Sequence, residues 1–407
     1  MPRSPLRVCH LGKFYPPASG GIEAHVRTLA RAQADLGAEV QVVCTNHLDR
    51  RGRDVTWRQL ASTPTVETRD GPVRVTRLGR WGSVARLELC PGVFQRLHRL
   101  EAAGTDVLHL HVPNPAMLLA LAVMPARVPL VVTYHSDMVR QKVLAWALRP
   151  FERRVLGAAA QVMSNSPTYQ EGSTTLQEHV AKLAVLPMGI DLGPYLRPGA
   201  VARAHAARLR DEHGAPLWLA VGRLVYYKGL HHALEALTRV PGKLLIVGTG
   251  PLEQELRRRA AQLGVAQRVV WCGHLHAEQL IGAYHAATAL WFPSNARSEG
   301  FGLVQVEAMA SGCPVVNTAV PASGVAWVSR HEATGLTVPM NDAPALAAAA
   351  CRLVAEPGLR LRLADQARQR AQEEFDDGLM AERSLAIYRR VLGGQPAQAP
   401  APLEEAA

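Results

Sequence analysis

The stretch SEGFGLVQVEAMASG, residues 298–312, carries two carboxylates, Glu299 and Glu307, with seven residues between them. Glu299 falls in a glycine-flanked turn, placed to accept hydrogen bonds from hydroxyls. Glu307 stands among Leu303, Val304, Val306, Ala308, Met309 and Ala310, the composition of an apolar helix expected to begin near Gly302. A buried carboxylate without donors costs on the order of several kcal/mol. Glu307 therefore calls for donors, and ribose hydroxyls would serve. At the start of that helix the amides of Phe301, Gly302 and Leu303 would favour phosphate or sugar oxygens. The plain alternative is an exposed helix position for Glu307 and a capping role for Glu299.

Cations complement the acids. VGRLVYYKG (221–229) brings Arg223 and Lys228 to the end of a strand-like run, followed by Gly229. Arginine can fork two oxygens and lysine adds a point charge, a pair suited to a diphosphate; a solvated loop is the alternative. Gly20 and Gly21, in KFYPPASGGIEAHV, precede a helix whose N-terminus would favour an anion. The spacing is not G-x-G-x-x-G, so the dinucleotide fingerprint is absent, and a plain strand-to-helix turn is an equal reading. Gly248 and Gly250, in IVGTGPLEQEL, open another helix with Pro251 in its first turn, where a nucleoside could rest. CGHL (272–275), ending in Leu275, could offer backbone groups to a base.

Histidines recur at strand ends. In VVTYHSDMVRQK, His135 stands at a strand tip, followed by Asp137 and Arg140; a lone histidine is more often structural. His109 and His111 are expected on opposite faces of one strand, which makes them poor joint metal ligands. His274 and His276 lack a carboxylate or cysteine partner and read as surface residues. No D-x-D occurs, so no metal is expected. NSP (165–167) and PMGID (187–191) are further turns at strand ends that could contribute backbone groups.

These residues need strands to position them. In the first half, LRVCHLG (6–12), EVQVVCT (39–45), VLHLHV (107–112), PLVVTYH (129–135), AQVMSNS (160–166) and LAVLPMG (183–189) are apolar on both faces, as buried parallel strands are. PLWLAVG (216–222), KLLIVG (243–248), RVVWCG (268–273), ALWFPS (289–294) and PVVNTAV (314–320) repeat the arrangement. Helical patterns lie between them, among them IEAHVRTLARAQADLG (22–37), closing on Gly37. Serial βα units in both halves predict an α/β protein of two facing, doubly wound, Rossmann-like parallel-sheet domains, with ligands in the cleft beyond the strands' carboxyl ends. The domains are expected over 1–195 and 196–377, changing over within DLGPYLRPG (191–199). A helix is expected over 378–392, and a disordered Pro/Ala-rich tail over 393–407.

The bulk composition agrees with a globular enzyme: 407 residues, 48% hydrophobic and 19% charged. No run approaches the roughly 20 apolar residues of a membrane span, and no signal-peptide pattern opens the chain, so a cytoplasmic protein is expected. Six cysteines without a C-x-x-C spacing read as thiols, not as a disulfide framework or a zinc site. The net charge of +11 is uneven: residues 1–195 hold 23 Lys/Arg against 15 Asp/Glu (+8), and the remainder 22 against 19 (+3). A basic half can attract nucleic acid, an anionic membrane or an anionic substrate. Within it, VRQKVLAWALRPFERRVLG (139–157) sets Arg140, Lys142, Arg149, Arg153 and Arg154 beside Leu144, Trp146 and Phe151. Such a helix can lie on an anionic membrane or simply pack on its own domain.

GGIE (20–23), His135, NSP, PMGID, GRLxxxKG (222–229), GTGPL (248–252) and E-GFGL-xxx-E (299–307) occur in that order. Together they resemble the retaining glycosyltransferases of GT-B fold, the large family 4 group, over nearly the whole chain. The resemblance implies a nucleotide-diphosphate sugar donor held mainly by the second domain, its diphosphate on Arg223 and Lys228 and its ribose on Glu307. Glu299, with the amides of Phe301, Gly302 and Leu303, would contact the transferred sugar, and His135 would lie near the reacting carbon. Gly20 and Gly21 would let the first domain close over the phosphates; Gly248, Gly250 and Leu275 complete the donor-side set. The last helix would cross back onto the first domain.

Transfer would proceed on the face from which the diphosphate leaves, without a protein nucleophile, metal or other cofactor; a double displacement through a carboxylate is the competitor. YHSDMVRQK and GRLVYYKG resemble bacterial mannosyl- and rhamnosyltransferases that use GDP-sugars in cell-surface polysaccharide assembly. UDP-glucose, UDP-galactose or UDP-N-acetylglucosamine would fit the motifs nearly as well. The acceptor implied is a glycan or lipid-linked glycan, not nucleic acid. A nucleotide-sugar 2-epimerase and a non-catalytic sugar-nucleotide-binding module are the alternatives that the ordered motif set disfavours.

Overall fold

The computed structural model describes residues 5–18, 20–84, 87–137 and 142–394. Arg140 and the tail beyond 394, on which expectations were placed, lie outside the described residues. The chain forms two compact units, Met1–Gly189 with Asp377–Ala407, and Ile190–Asp376. The crossings thus fall inside PMGID and at Asp376–Asp377, whereas the stretch 191–199 holds a short helix, Gly193–Leu196.

The first unit contains β1 (Arg7–Leu11), β2 (Glu39–Thr45), β3 (Val66–Asp70), β4 (Val73–Leu78), β5 (Gly82–Val84), β6 (Leu87–Leu89), β7 (Val107–Val112), β8 (Leu130–Tyr134), β9 (Gln161–Ser164) and β10 (Leu183–Val185). Eight of them make one sheet in the order β10-β9-β8-β7-β1-β2-β4-β3. Its pairs are parallel except β3 with β4. Every residue of β7, β8 and β9 is buried, because helices cover both faces of a parallel sheet. The chain runs from β1 to β2 on one side and places β7 on the other, so the sheet's direction of growth reverses between β1 and β7. The carboxyl ends of strands at such a reversal are where open α/β sheets bind ligands.

The helix Asp377–Leu392 belongs to this first unit. Met380, Ala381, Leu385, Ile387 and Tyr388 repeat at helical spacing and join Val8, Leu29, Val107 and Val131 in one apolar cluster.

The second unit holds β11 (Leu217–Val221), β12 (Lys243–Val247), β13 (Val269–Gly273), β14 (Ala289–Phe292), β15 (Val315–Thr318) and β16 (Gly335–Val338). They form a sheet in the order β13-β12-β11-β14-β15-β16, all parallel. Here the reversal lies between β11 and β14. Trp218 and Trp291, stacked with centroids 5.0 Å apart, fill the core on those two strands. All six cysteines are free thiols. Among the described residues no helix is long and apolar enough to cross a membrane.

Candidate functional site

The second unit gathers four of the expected residues around its reversal point. β11 ends at Val221, and the loop that follows carries Arg223 and Lys228; Val221, Gly222, Arg223 and Lys228 line one small cavity with Trp291, Phe292 and Pro293 from the end of β14. Arg223 is exposed and Lys228 half-buried. The loop after β14 returns Glu299, 9% exposed, with its Oε2 2.5 Å from Lys228 Nζ. Lys228 Nζ also lies 4.7 Å from the centroid of the Phe292 ring, which an ammonium favours.

The helix Leu303–Ala310 begins at Gly302, whose φ of 81° is left-handed. A Cβ there would come within 2.6 Å of the Phe292 ring, so conformation and space both require glycine. No side chain caps this helix, which leaves its positive end to a ligand. The turn is held from behind. Phe301 is buried against Phe375 and Trp327. Gln305 Nε2 donates to Phe301 O at 2.9 Å, and Asn317 Nδ2 donates to Gln305 Oε1 at 2.9 Å. These bonds from Gln305 and Asn317 tie the loop to the helix and sheet behind it.

Glu307 is half-buried, and Tyr284 Oη donates to its Oε2 at 2.6 Å. The carboxylate therefore has a protein donor that its sequence neighbours do not reveal. Burial pushes the Glu307 carboxyl up, while the Tyr284 hydroxyl and the positive charge of Lys228 pull it back down. Arg223, Lys228, Glu299 and Glu307 thus share one neighbourhood. The requirement for Gly248 and Gly250 has a different origin. A Cβ on Gly248 would collide with the Gly222 carbonyl, and one on Gly250 would lie 2.5 Å from the Leu224 carbonyl. They let the turn after β12 pack against the loop that bears Arg223. Leu275, half-buried, lies beyond β13, next to that turn; Gly248 N donates to Gly273 O at 2.6 Å.

In the first unit, Gly20 and Gly21 stand at the start of the helix Gly21–Asp35, which has no side-chain cap and carries Glu23 in its first turn. A Cβ on Gly20 would run into the Glu23 carboxylate, so this acid lies close against the helix's positive end. His135 follows β8 and is 4% exposed; its N donates to Val112 O at 3.0 Å, and its carbonyl accepts from Asn165 Nδ2 at 3.4 Å. Asp137 accepts from Tyr134 Oη at 2.8 Å, and its N donates to Tyr169 Oη at 2.7 Å. The NSP turn thus holds the histidine, and Ser166 caps the short helix Pro167–Glu171.

His109 and His111 do not point apart, as expected of them from the sequence. Residues two apart on a strand share a face, and these rings lie 4.2 Å apart, both buried. They belong to a cluster of five buried histidines with His10, His25 and His135. Among the described residues two triads bring three ring nitrogens within 4.8 Å: His10, His109, His111; and His25, His111, His135. In the first, every ring nitrogen is engaged in a hydrogen bond, which leaves no lone pair for an ion. In the second, the edge between His111 and His135 is already bridged by a hydrogen bond of 3.1 Å. His274 and His276 are exposed, and His276 caps the helix Ala277–Ala286.

The basic helix Lys142–Ala158 leaves Trp146 exposed at 78% and Phe151 at 38%. Arg149 and Arg153 both pair with Glu178, at 3.3 and 2.7 Å, so part of its positive face is neutralised within the unit.

Known proteins resemble the chain over both units. Residues 203–370 match the family model for glycosyl transferases group 1, and residues 20–189 that for the glycosyl transferase 4-like domain. The chain is 30% identical to an O-antigen chain mannosyltransferase C of Escherichia coli, over 95% of this chain and 99% of that one. It is 32% identical to the D-rhamnosyltransferase WbpZ of Pseudomonas aeruginosa, over 83% and 84%. Among solved structures, a sucrose-phosphate synthase from Thermosynechococcus elongatus superposes with a TM-score of 0.76 at 25% identity, covering 96% of this chain and all of that one. Anabaena HepE in complex with UDP superposes with a TM-score of 0.74 at 20% identity, covering 94% and 100%.

Proposed function

Because the chain belongs to the GT-B glycosyltransferases of the family 4 type, we propose that it moves a hexose, with retention at the anomeric carbon, from a nucleotide-diphosphate sugar to a hydroxyl of a glycan or lipid-linked glycan. The observation that carries this reading is the convergence of Arg223, Lys228, Glu299 and Glu307 where the second sheet reverses. Cleavage of the sugar–phosphate bond builds negative charge on the departing diphosphate and positive charge on the anomeric carbon. Arg223, Lys228 and the uncapped start of Leu303–Ala310 oppose the first charge. With two cations at that position the leaving group needs no metal ion.

In this reading Glu307 takes the ribose hydroxyls, Glu299 takes hydroxyls of the transferred sugar, and His135 contacts that sugar near the reacting carbon. The attacking hydroxyl gives its proton to a leaving-group oxygen, so no side chain has to become a nucleophile. The mannosyl- and rhamnosyltransferase relatives support mannose or a deoxyhexose as the sugar moved and a cell-surface polysaccharide as product; in this reading the donor is GDP-mannose or a GDP-deoxyhexose. The exposed Trp146 and Phe151 support peripheral contact with an anionic membrane. The same relatives give no support to a 2-epimerase.

The test is a donor screen with GDP-mannose, GDP-rhamnose, UDP-glucose, UDP-galactose and UDP-N-acetylglucosamine, with and without a glycan acceptor, in EDTA. Nucleotide release that requires acceptor, highest with a GDP-sugar, with NMR showing the donor's anomeric configuration in the product, is the expected result. Sugar-nucleotide interconversion without acceptor, or an inverted product, would refute it. Glu307→Ala should weaken binding of the preferred donor by about 10- to 100-fold, since a charged acceptor of hydrogen bonds is lost. Calorimetry giving an unchanged Kd would remove Glu307 from the ribose site.

A further inference from the structure

The buried histidines of the first unit form a hydrogen-bonded line whose direction can be read from one end to the other. Ser384 Oγ donates to Ala381 O at 2.7 Å, so its lone pairs are left to accept. Gln33 Nε2 donates to Ser384 Oγ at 2.7 Å and to Tyr388 Oη at 3.1 Å. Those two bonds orient the amide, and Gln33 Oε1 faces His10 Nε2 at 2.8 Å. A carbonyl oxygen only accepts, so His10 carries its hydrogen on Nε2. His10 Nδ1 must then accept from His111 Nε2, 2.9 Å away. His111 Nδ1 must in turn accept from His135 Nε2, at 3.1 Å. Burial holds all three rings neutral, with His10 pulled down to about 4, His135 to about 3, and His111 well below its ordinary value. A neutral ring has one hydrogen to place, so each assignment forces the next.

What remains at the end of the line is His135 Nδ1, buried and without a partner among the described residues. It is a lone pair, not an N–H. The other arm closes on itself: Tyr388 Oη, accepting from Gln33, donates to His109 Nδ1 at 2.6 Å, and His109 Nε2 donates to Thr133 Oγ1 at 2.7 Å.

We propose that Gln33 is a positioning residue, which through His10 and His111 locks His135 as the Nε2–H tautomer, so that Nδ1 accepts a hydrogen bond from a hydroxyl of the transferred sugar. The inference rests on the reading that His135 contacts that sugar. It adds the direction of the bond: the sugar must donate at this position, so a donor in which that hydroxyl is absent or methylated loses the contact.

Long-range 15N–1H spectra of the full chain labelled at histidine report each ring's tautomer directly. The expected result is Nε2–H with bare Nδ1 for His10, His111 and His135. A hydrogen on His135 Nδ1 in the unmutated protein would overturn the inference, and this measurement needs no variant to fold. Gln33→Met removes the acceptor; His135 should become a mixture of tautomers, and kcat/KM should fall about tenfold, as when the outer partner of a ligand-bearing histidine is lost. Gln33→Glu keeps an oxygen facing His10 and should restore both the tautomer and most of the rate. Gln33→Met with an unchanged His135 spectrum and unchanged kcat/KM also refutes the proposal. His135→Ala at full kcat/KM would remove the sugar contact while leaving the tautomer result standing, so the two failures can be told apart.

Discussion

Acidification from pH 7 to pH 5.5 is expected to destabilise the first unit by several kcal/mol, a large part of a typical domain's stability. The cause is the cluster of His10, His25, His109, His111 and His135, all held neutral by burial in the folded chain. A histidine whose folded pKa is lowered contributes stability that is complete above its unfolded value near 6.5 and is lost as the pH falls below it, because only the unfolded chain takes up the proton. Once the folded value lies well below 5.5, as at about 4 for His10 and about 3 for His135, its exact position no longer matters. Each such ring then costs on the order of 1 kcal/mol over this interval, and the five act in the same direction.

Glu152 works the other way. Burial raises its carboxyl to about 7, so the folded state binds that proton first and gains on the order of 1 kcal/mol as the pH falls to 5.5. The net loss is therefore somewhat smaller than the histidines alone would give. Urea unfolding followed by circular dichroism at intervals between pH 7.5 and 5 measures it. A first transition whose midpoint does not move between pH 7 and 5.5 would show that these rings are not buried together.

Much of this architecture is legible in the chain because buried parallel strands are apolar on both faces, as β11 and β14 are, and need no alternation to be recognised. The strand ends then identify the site residues by position: Arg223 after β11, Glu299 after β14, His135 after β8. Elements that do not meet that condition were missed. β3, VETRD, is an edge strand with exposed residues, so its composition is that of a loop; β5, β6 and β16 (GSV, LEL and GLTV) mix glycine or polar residues into very short runs and show no apolar pattern. Phe292 ends β14 and was accessible to the same strand-end logic. Tyr284 was not: it reaches Glu307 from the last turn of the helix Ala277–Ala286, and no spacing along the chain relates the two. The histidine cluster was hidden for the same reason, since His10, His109 and His135 meet only when β1, β7 and β8 lie side by side, and His25 joins them only when the helix Gly21–Asp35 packs there. Gly248 shows the converse case. Its pattern reads as a place where a nucleoside could rest, and the structure adds a packing reason for the glycine, the close approach of the Gly222 carbonyl of its own unit.

Lys228→Ala is expected to lower kcat/KM with the preferred donor by about 10² to 10³, the loss typical of removing one group that stabilises charge developing in a transition state. Its Nζ is the cation nearest Glu299, at 2.5 Å, and it lines the same cavity as Arg223. The substitution has a second consequence that must be separated from the first. Glu299 is 9% exposed, and its other side-chain hydrogen bond among the described residues is from Ser294 Oγ at 3.5 Å, too long to replace an ammonium. An acid left buried without its partner destabilises the fold as well as the site. The double variant Lys228→Ala/Glu299→Gln removes both charges. It should recover most of the thermal stability lost by Lys228→Ala, yet none of the rate, because the diphosphate still departs without its lysine. Calorimetry and single-turnover rates on the three proteins distinguish the two effects. If the double variant regains turnover along with stability, the lysine serves only to neutralise Glu299, and the diphosphate must be held elsewhere.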